Sequence, residues 1–321
     1  MAAMHYSRPT TLDDAVAQLQ APGALPMGGG TDLLPQLRES LVIPEVLVDL
    51  RRVAASSDIT WHADGAVTIG ASAPLARLAR DARLRDAFPC LAQSCAAVGS
   101  AQIRTMGTLG GNLCQRPRCW YFRHGFSCHK NGGDSCRAEV GENHYHSILG
   151  GGPCFAVHPS DPAVALTALE ATVHVAGANG ARNLPIAELY TRAARPGGSE
   201  TELAAGEIVT SVTIPAVSRG GRQRFDKVMQ RGAFEFALVS VAAIKRTDGE
   251  VRLVLGGVAP RPWRVTDSIE EDVGSGGLSD DDIETLGVRA LYDARPLAHN
   301  GYKVDVASAA LSRAIAFLEG R

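Results

Sequence analysis

Four of the cysteines in this chain lie in one segment that is rich in glycine and histidine. Three occur in the stretch CWYFRHGFSCHKNGGDSC and the fourth follows a run of glycines: Cys119, Cys128, Cys136 and Cys154. They are separated by eight, seven and seventeen residues. Four thiolates that converge on one cube can hold a [4Fe-4S] cluster, and irregular spacing is compatible with a loop that wraps around it. The glycines supply the flexible turns that such a loop needs.

Zinc and disulfides are the alternative uses of these thiols. Structural zinc sites usually contain Cys-x2–4-Cys pairs, and the segment has no such pair. Four histidines would still permit a mixed site, although a polar loop explains them without any special role: His124, His129, His144 and His146. Disulfide scaffolds are typical of short chains with small cores, whereas this chain has 321 residues, of which 45% are hydrophobic. The spacing leaves both alternatives open.

The other three cysteines have ordinary explanations. Cys90 and Cys95 occur in the apolar, helix-like stretch FPCLAQSCAAVGS, and we predict that they are small buried side chains. Cys114 directly follows a glycine-rich segment in GGNLC. This position associates Cys114 with that segment, and leaves it as a rival fifth ligand of the cluster.

Two glycine-rich segments have the features of a phosphate-binding loop. GGGTD, residues 28–32, follows a predicted strand and precedes a predicted helix, and TLGGN occupies residues 108–112. Consecutive glycines let a ligand approach the backbone, and free N–H groups at a helix start attract anions. Neither segment is the G-x-G-x-x-G fingerprint or a Walker A loop. Each alone also fits a tight turn, whereas the pair favours a diphosphate held from two sides.

Polar residues next to predicted helices allow a structural or a binding interpretation. Thr31 or Asp32 can cap the helix after the first glycine segment. In HPSDPAVAL, Ser160 and Asp161 precede Pro162, an order that is typical of a helix N-terminus. A carboxylate at Asp161 could equally accept a hydrogen bond from a ribose or ribityl hydroxyl. The spacing is compatible with both interpretations.

The pattern of predicted elements divides the chain into three parts. Residues 1–55 predict a small βαβ-like unit, and residues 56–216 predict a hairpin with its turn at Asp64-Gly65, then helices and further strands. The cysteine segment, residues 114–157, interrupts this second part. Residues 217–321 predict a β-rich stretch that is followed by two helices. The chain is therefore expected to be α+β throughout.

Charge and hydropathy argue against several classes of function. The net charge is −2, so no basic surface for nucleic acid is expected. No run of 18 apolar residues occurs, so no membrane span is predicted. The first residues lack the basic and apolar regions of an export signal.

Five motifs in a fixed order carry a resemblance to a known family: GGGTDLL, SAQIRTMGTLGGNL, HPSDPAVALTAL, EIVTSVTIP and KVMQRGAFEFALVSVA. Together they resemble the FAD-binding medium subunit of the molybdenum hydroxylases, the family of xanthine oxidase and carbon monoxide dehydrogenase. The cysteine segment is similar to that of periplasmic aldehyde oxidoreductases and, next, of 4-hydroxybenzoyl-CoA reductase, which carry an additional [4Fe-4S] cluster. The resemblance implies a two-lobed FAD-binding domain of the vanillyl-alcohol-oxidase/PCMH type. A smaller α+β C-terminal domain, with an antiparallel sheet and helices, would follow.

The resemblance also implies which residues contact the two cofactors. The implied FAD-binding set is Pro26, Met27, Gly28, Gly29, Gly30, Thr31, Asp32, Leu33, Leu34, Thr108, Gly110, Gly111, Asn112, Ser160, Asp161, Ile208 and Lys227. In this set the two glycine segments bind the pyrophosphate, Lys227 lies near the flavin and Ile208 lies over the isoalloxazine. Without the resemblance, Lys227 would be predicted to be a solvated charge on a strand. The implied [4Fe-4S] ligands are Cys119, Cys128, Cys136 and Cys154.

The implied function is that of an electron-transfer subunit in a heterotrimeric oxidoreductase. A large partner subunit with the molybdenum cofactor would oxidise an aldehyde, and a small partner with [2Fe-2S] clusters would pass the electrons to FAD in this chain. A ferredoxin-like protein is a further candidate partner. The alternatives are a 4-hydroxybenzoyl-CoA reductase subunit and a zinc-stabilised binding protein without flavin. The expected location is the periplasm, through co-export with a signal-bearing partner, with the cytoplasm as the alternative.

Overall fold

The N-terminal lobe is a small parallel β-α-β unit. The structure, a computed structural model, describes residues 4–197 and 199–321. The elements of this lobe are β1 (His5–Ser7), α1 (Leu12–Gln18), β2 (Ala24–Met27), α2 (Leu33–Arg38), β3 (Val46–Asp49) and a 3₁₀ helix (Leu50–Arg52). The strand order is β1-β3-β2 and both pairings are parallel. Because α2 makes the crossover between parallel strands β2 and β3, the predicted βαβ arrangement is confirmed.

The middle lobe combines an antiparallel sheet with several short helices. Its strands are β4 (Ile59–Trp61), β5 (Val67–Gly70), β6 (Thr172–Gly177), β7 (Gly180–Pro185) and β8 (Ile208–Ile214). Their order is β4-β5-β8-β6-β7, with β8 antiparallel to both of its neighbours. The hairpin predicted at Asp64-Gly65 is the β4–β5 connection, where Gly65 has a φ of +97°.

The helices of the middle lobe precede and follow the cysteine segment, except for one short helix (Trp120–Arg123) that lies within it. They are α3 (Leu75–Arg80), α4 (Ala82–Ala87), α5 (Pro89–Ala96), α6 (Ala101–Met106), α7 (Leu109–Leu113), α8 (Trp120–Arg123), α9 (Asp161–Ala168) and a 3₁₀ helix (Ile186–Tyr190). Every residue of α9 is buried, as expected for a helix that is apolar on all sides. Cys90 and Cys95 in α5 are fully buried, which confirms their predicted place in the core.

The C-terminal domain is an antiparallel sheet with helices on one face. It contains a 3₁₀ helix (Ala216–Ser218), β9 (Arg222–Val228), β10 (Val239–Lys245), β11 (Val251–Gly256), β12 (Trp263–Arg264), α10 (Asp267–Ser275), α11 (Asp280–Arg289) and α12 (Tyr302–Leu318). The strand order is β12-β11-β10-β9. Helix α12 packs against β10 on one face, whereas α9 of the middle lobe packs against β10 and β11. The sheet is thus covered on both faces.

One hydrophobic core is continuous between the middle lobe and the C-terminal domain. It joins Val212 of β8 and Leu166 of α9 to Ala242, Ile244 and Val254 of the C-terminal sheet. The opposite side of that sheet forms a second core with α12. The predicted boundaries at residues 55 and 216 fall between sheets. Because this core crosses the boundary at residue 216, the division between the middle lobe and the C-terminal domain stays a prediction.

Several predicted elements differ from the structure. The stretch LARLARDARLRDAF, whose sequence predicts one helical stretch, forms two helices, because the Asp81 side chain accepts a hydrogen bond from the Leu84 N–H and so begins α4. The predicted loop TLGGN forms the start of a short helix, α7, which Thr108 caps. Helix α10 and strand β7 were not predicted. In the described part of the chain, no helix is both long enough and apolar enough to cross a bilayer.

Candidate cofactor-binding site

A cleft between the N-terminal lobe and the sheet of the middle lobe brings the two glycine segments together. Its cavity volume is about 380 Å³. We call it the glycine cleft. Its walls include residues from β2, α7 and β8: Pro26, Gly28, Thr108, Gly110, Gly111, Cys114 and Ile208. The predicted pairing of the two glycine segments is therefore seen in space, and Cys114 lies beside them as expected.

The two glycine segments touch each other directly. A Cβ atom on Gly29 would lie 1.7 Å from the carbonyl oxygen of Met106, and one on Gly28 would lie 2.5 Å from Thr108 Oγ1. Gly30 has a φ of +74°, which glycine adopts more readily than other residues. These glycines are thus required for packing between the segments, independently of any ligand.

The residues that flank the first glycine segment differ in burial. Met27 of β2 is buried, whereas Leu34 of α2 is 51% exposed. Of the two candidate caps, Thr31 and Asp32, Asp32 occupies the N-cap position of α2, but its carboxylate makes no capping hydrogen bond. It accepts hydrogen bonds from the backbone N–H of Arg116 and from the Arg123 guanidinium, both at 2.8 Å. Tertiary contacts with the cysteine segment have therefore replaced a local cap.

A polar group links α7 to α9. The Ser160 hydroxyl donates to Asn112 Oδ1 at 2.6 Å and accepts from the Ala163 N–H at 3.1 Å. Ser160 therefore caps α9 and contacts the second glycine segment, so the helix-cap interpretation is correct and leaves the binding interpretation possible. Asp161 is the first residue of α9. It lines a small cavity with Ser160, beside the glycine cleft residues of α7.

Lys227 forms a buried ion pair with Asp161. The Lys227 Nζ atom lies 2.7 Å from Asp161 Oδ2 and donates to the Ala97 carbonyl at 3.0 Å. The two side chains are 4% and 6% exposed, so Lys227 is not the solvated strand charge that its sequence context suggests. Burial raises the pKa of the Asp161 carboxyl, and the neighbouring ammonium opposes this shift.

The predicted FAD contacts fall into two groups in space. Ile208 lines the glycine cleft with Gly110 and Gly111. Ser160 and Asp161 line the second cavity, together with Arg118 and Phe236. The position of Ile208 over the isoalloxazine stays a prediction, since its neighbours are the glycines and not the Lys227–Asp161 pair.

The four predicted metal ligands line one enclosed cavity. Cys119, Cys128, Cys136 and Cys154 all border it, together with Lys130 and other residues of the cysteine segment. All four are free thiols. Burial raises the pKa of the Cys119 thiol to about 12 and that of Cys154 to about 11. A bound cation would be needed to favour the thiolates.

The side-chain positions do not by themselves define a metal-ion site. Among the residues that the structure describes, no group of three or more His, Cys, Asp or Glu side chains has the arrangement to hold a metal ion. The convergence of four thiols on one cavity is nevertheless the chemistry that an iron–sulfur cluster requires. The cluster assignment therefore stays a proposal.

His146 contacts Cys119, one of the four cysteines around the thiol cavity, a contact that the sequence did not predict. Its Nε2 atom lies 3.2 Å from Cys119 Sγ, and its side chain is buried. Burial lowers the pKa of His146 to about 4, so the ring is neutral near pH 7. The Lys303 ammonium donates to the His146 carbonyl at 3.0 Å. Spacing offered no signal for this contact, because His146 lies twenty-seven positions from Cys119.

The sequence and fold comparisons identify the class of protein. Residues 2–217 match the family described as the FAD binding domain in molybdopterin dehydrogenase. The chain belongs to this family, whose members are subunits of oxidoreductases. The predicted FAD cofactor, the resemblance and the two-lobed α+β fold are thereby confirmed.

Individual relatives and solved structures are similar to this chain over most of its length. The chain is 35% identical to the aldehyde oxidoreductase FAD-binding subunit PaoB of Escherichia coli strain K12, with 98% of each chain covered. It is 25% identical to the glyceraldehyde dehydrogenase medium chain of Sulfolobus acidocaldarius, covering 91% of this chain and 88% of the relative. A crystal structure of quinoline 2-oxidoreductase from Pseudomonas putida 86 superposes with a TM-score of 0.76 at 23% identity, covering 99% and 97%. A structure of Cu,Mo-CO dehydrogenase gives a TM-score of 0.74 at 22% identity, covering 99% and 98%. These two superpositions support the fold.

Proposed function

We propose that the chain is the FAD- and [4Fe-4S]-binding subunit of a heterotrimeric, molybdenum-containing aldehyde oxidoreductase. The observation that carries this proposal is the 35% identity to an aldehyde oxidoreductase FAD-binding subunit over 98% of both chains. The convergence of four cysteines on one cavity supports the cluster. The glycine cleft supports a bound dinucleotide.

FAD binds with its diphosphate at the two glycine segments. Gly28, Gly110 and Gly111 expose backbone to the glycine cleft, where side chains would obstruct a diphosphate. Ser160 donates to Asn112 and precedes Asp161, which pairs with Lys227. These four residues would hold the ribityl chain and the isoalloxazine. A buried cation near the ring favours the negative charge of reduced flavin, which is one way a protein tunes a cofactor.

The residues of the chain position the cofactors, and the redox chemistry belongs to the cofactors themselves. When bound, FAD supplies the exchange between one-electron and two-electron transfer. Asp161 and Lys227 hold their charges at fixed positions because both are buried and paired. The cysteines would provide four thiolates for the cluster, and His146 would donate an N–H to Cys119. Substrate chemistry takes place on a large molybdenum subunit, and [2Fe-2S] clusters in a small subunit deliver the electrons.

The physiological acceptor and the compartment are part of the same proposal. Electrons leave through FAD, or through the cluster to a ferredoxin-like protein. The complex is placed in the periplasm by co-export with a signal-bearing partner, with the cytoplasm as the alternative. Fractionation of cells that produce all three subunits, followed by detection of this chain in periplasmic extract, tests the location.

A spectrum and a metal assay of the purified full chain test the cofactors. We expect about one FAD and about four iron atoms with matching sulfide per chain. Cys136→Ala should lose iron and its absorbance while FAD remains, and Cys90→Ala, which alters a cysteine in the core of the middle lobe, should retain both. A colourless protein with stoichiometric zinc would instead establish the zinc-stabilised binding protein.

A further inference from the structure

The two cofactor sites are connected by a charged network that begins at the first glycine segment. The carboxylate of Asp32, four positions after Gly28, accepts hydrogen bonds from the Arg116 backbone N–H and from the Arg123 guanidinium, both at 2.8 Å. Arg118 forms an ion pair with the same carboxylate at 2.6 Å. The Asp32 side chain is 14% exposed. All three arginines belong to the cysteine segment and lie within four positions of Cys119.

The network continues from these arginines to the thiol cavity. The Arg116 guanidinium binds both carboxylate oxygens of Glu200, at 2.9 and 3.1 Å. Glu200 also pairs with Lys130 at 3.4 Å, and the Lys130 side chain is 2% exposed. Lys130 borders the thiol cavity. The contacts therefore continue from Asp32 to the thiol cavity, with the backbone N–H of Arg116 on Asp32 and its guanidinium on Glu200.

The described members of this network carry more positive than negative charge. Its described members are four cations (Arg116, Arg118, Arg123 and Lys130) and two carboxylates (Asp32 and Glu200). Excess positive charge that is withdrawn from water is unfavourable unless an anion compensates it. A cluster that is held by four thiolates is such an anion, and it would lie against Lys130. Loss of the cluster should therefore loosen the network back to Asp32.

We propose that Asp32 couples the two cofactor sites, so that a cluster in the thiol cavity tightens FAD binding and bound FAD slows loss of the cluster. This inference rests on the proposed function, since it requires both cofactors. The coupling works through the position of the first glycine segment, which packs against Met106 and Thr108 across the glycine cleft. Linkage requires the effect to be reciprocal, and typical couplings between sites change affinity by roughly 5–150-fold.

The test measures FAD affinity in full-length chain with and without iron. Dissociation constants come from the quenching of flavin fluorescence, first in iron-loaded wild type and then after removal of iron by a chelator. We expect the constant to rise about tenfold on iron removal. Cys136→Ala should give the same value as the chelated protein. The release of iron to a chelator should also be slower with FAD present than without it.

Asp32→Asn is the variant that breaks the link. In this variant we expect iron removal to change the FAD dissociation constant by less than about twofold, because the network no longer reaches the glycine segment. Arg118→Met, which removes a partly exposed partner of Asp32, should weaken the coupling in the same direction. Asp49→Asn is the matched control: its partners Tyr6, Arg8 and Arg51 all lie in the N-terminal lobe. It should leave the effect of iron removal unchanged.

Three negative results have different meanings. If wild type contains iron and flavin but binds FAD equally well with and without iron, the coupling is wrong and the proposed function stands. If Asp32→Asn retains the full effect of iron removal, Asp32 is not the link. If wild type takes up no iron or no flavin, the proposed function itself is overturned, and the coupling with it.

Discussion

Replacement of Lys227 by methionine should destabilise the protein far more than loss of an ordinary surface charge. Lys227 spans from β9 to Asp161 at the start of α9, and also binds the Ala97 carbonyl after α5. Methionine keeps most of the aliphatic volume but leaves the Asp161 carboxylate, 6% exposed, without its cation. Breaking a buried pair in this way costs about 3–5 kcal/mol. The free energy of unfolding should therefore fall by about 3 kcal/mol or more at pH 8.

The loss of stability in Lys227→Met should also depend on pH. Burial raises the pKa of Asp161 above that of an unfolded aspartate, and the ammonium that opposes this shift is gone in the variant. The folded state then binds more protons than the unfolded state over the range between the two pKa values, so stability falls as pH rises through that range. The deficit relative to wild type should be smaller at pH 5 than at pH 8.

Urea denaturation of the full chain, followed by tryptophan fluorescence at both pH values, measures these differences. Lys245→Met is the control, because the Lys245–Glu319 pair at 3.2 Å lies on the same sheet but its lysine is 24% exposed. Partly exposed pairs contribute about 0–1 kcal/mol. The double variant Lys227→Met with Asp161→Asn should cost less than the sum of the single variants. A cost for Lys227→Met no larger than that of Lys245→Met would refute the reasoning.

Two further predictions concern the N-terminal lobe. Burial opposes ionisation of Asp49, but hydrogen bonds from Arg51 outweigh it and hold the Asp49 pKa at about 2. Because this pKa is lowered, the stabilisation is fully present above the unfolded pKa and is lost as pH falls through the folded pKa. Asp49→Asn should therefore cost about 1–2 kcal/mol at pH 6 and less than about half of that at pH 2.5, as measured by urea titration. Gly29→Ala would place a methyl 1.7 Å from the Met106 carbonyl oxygen, so we expect the free energy of unfolding to fall by about 1–3 kcal/mol and the flavin content to be reduced. Gly232→Ala is the control, because its methyl would meet nothing within 4 Å, and it should retain both stability and flavin. Equal flavin content in the two variants would show that the close packing of Gly29 is not needed for flavin binding.

Local sequence rules predicted the elements of the site but not the contacts between them. The first glycine segment, between a strand and a helix, and the cap at Ser160 follow from short-range preferences, and the structure confirms both. Asp32 was one of two candidate caps of α2, yet its partners lie 84 and 91 positions further along the chain. Lys227 pairs with a residue 66 positions before it. Spacing holds no information about contacts of this range, so only the resemblance singled out Lys227.

The cysteine segment shows the same limit in another way. Its thiols could be grouped from their spacing, and the structure places all four around one cavity. The residues that hold the segment in place could not be predicted from this spacing, because they come from elsewhere in the chain. The short helix α7 was predicted to be a loop since two glycines disfavour helix. Thr108 nevertheless caps that helix, and Leu109 and Leu113 are buried, so tertiary packing has overridden propensity.

The cysteine segment is held by all three parts of the chain, which bears on what it does. Asp32 binds it from the N-terminal lobe, and Glu200 binds it from the middle lobe. From the C-terminal domain, Lys303 and Asn300 donate to the His146 carbonyl at 3.0 and 3.1 Å. A loop added only to carry a peripheral cluster would need one attachment. Contacts with every part of the chain instead make the segment a structural link, so a change in its thiol cavity can reach the glycine cleft and the C-terminal sheet alike.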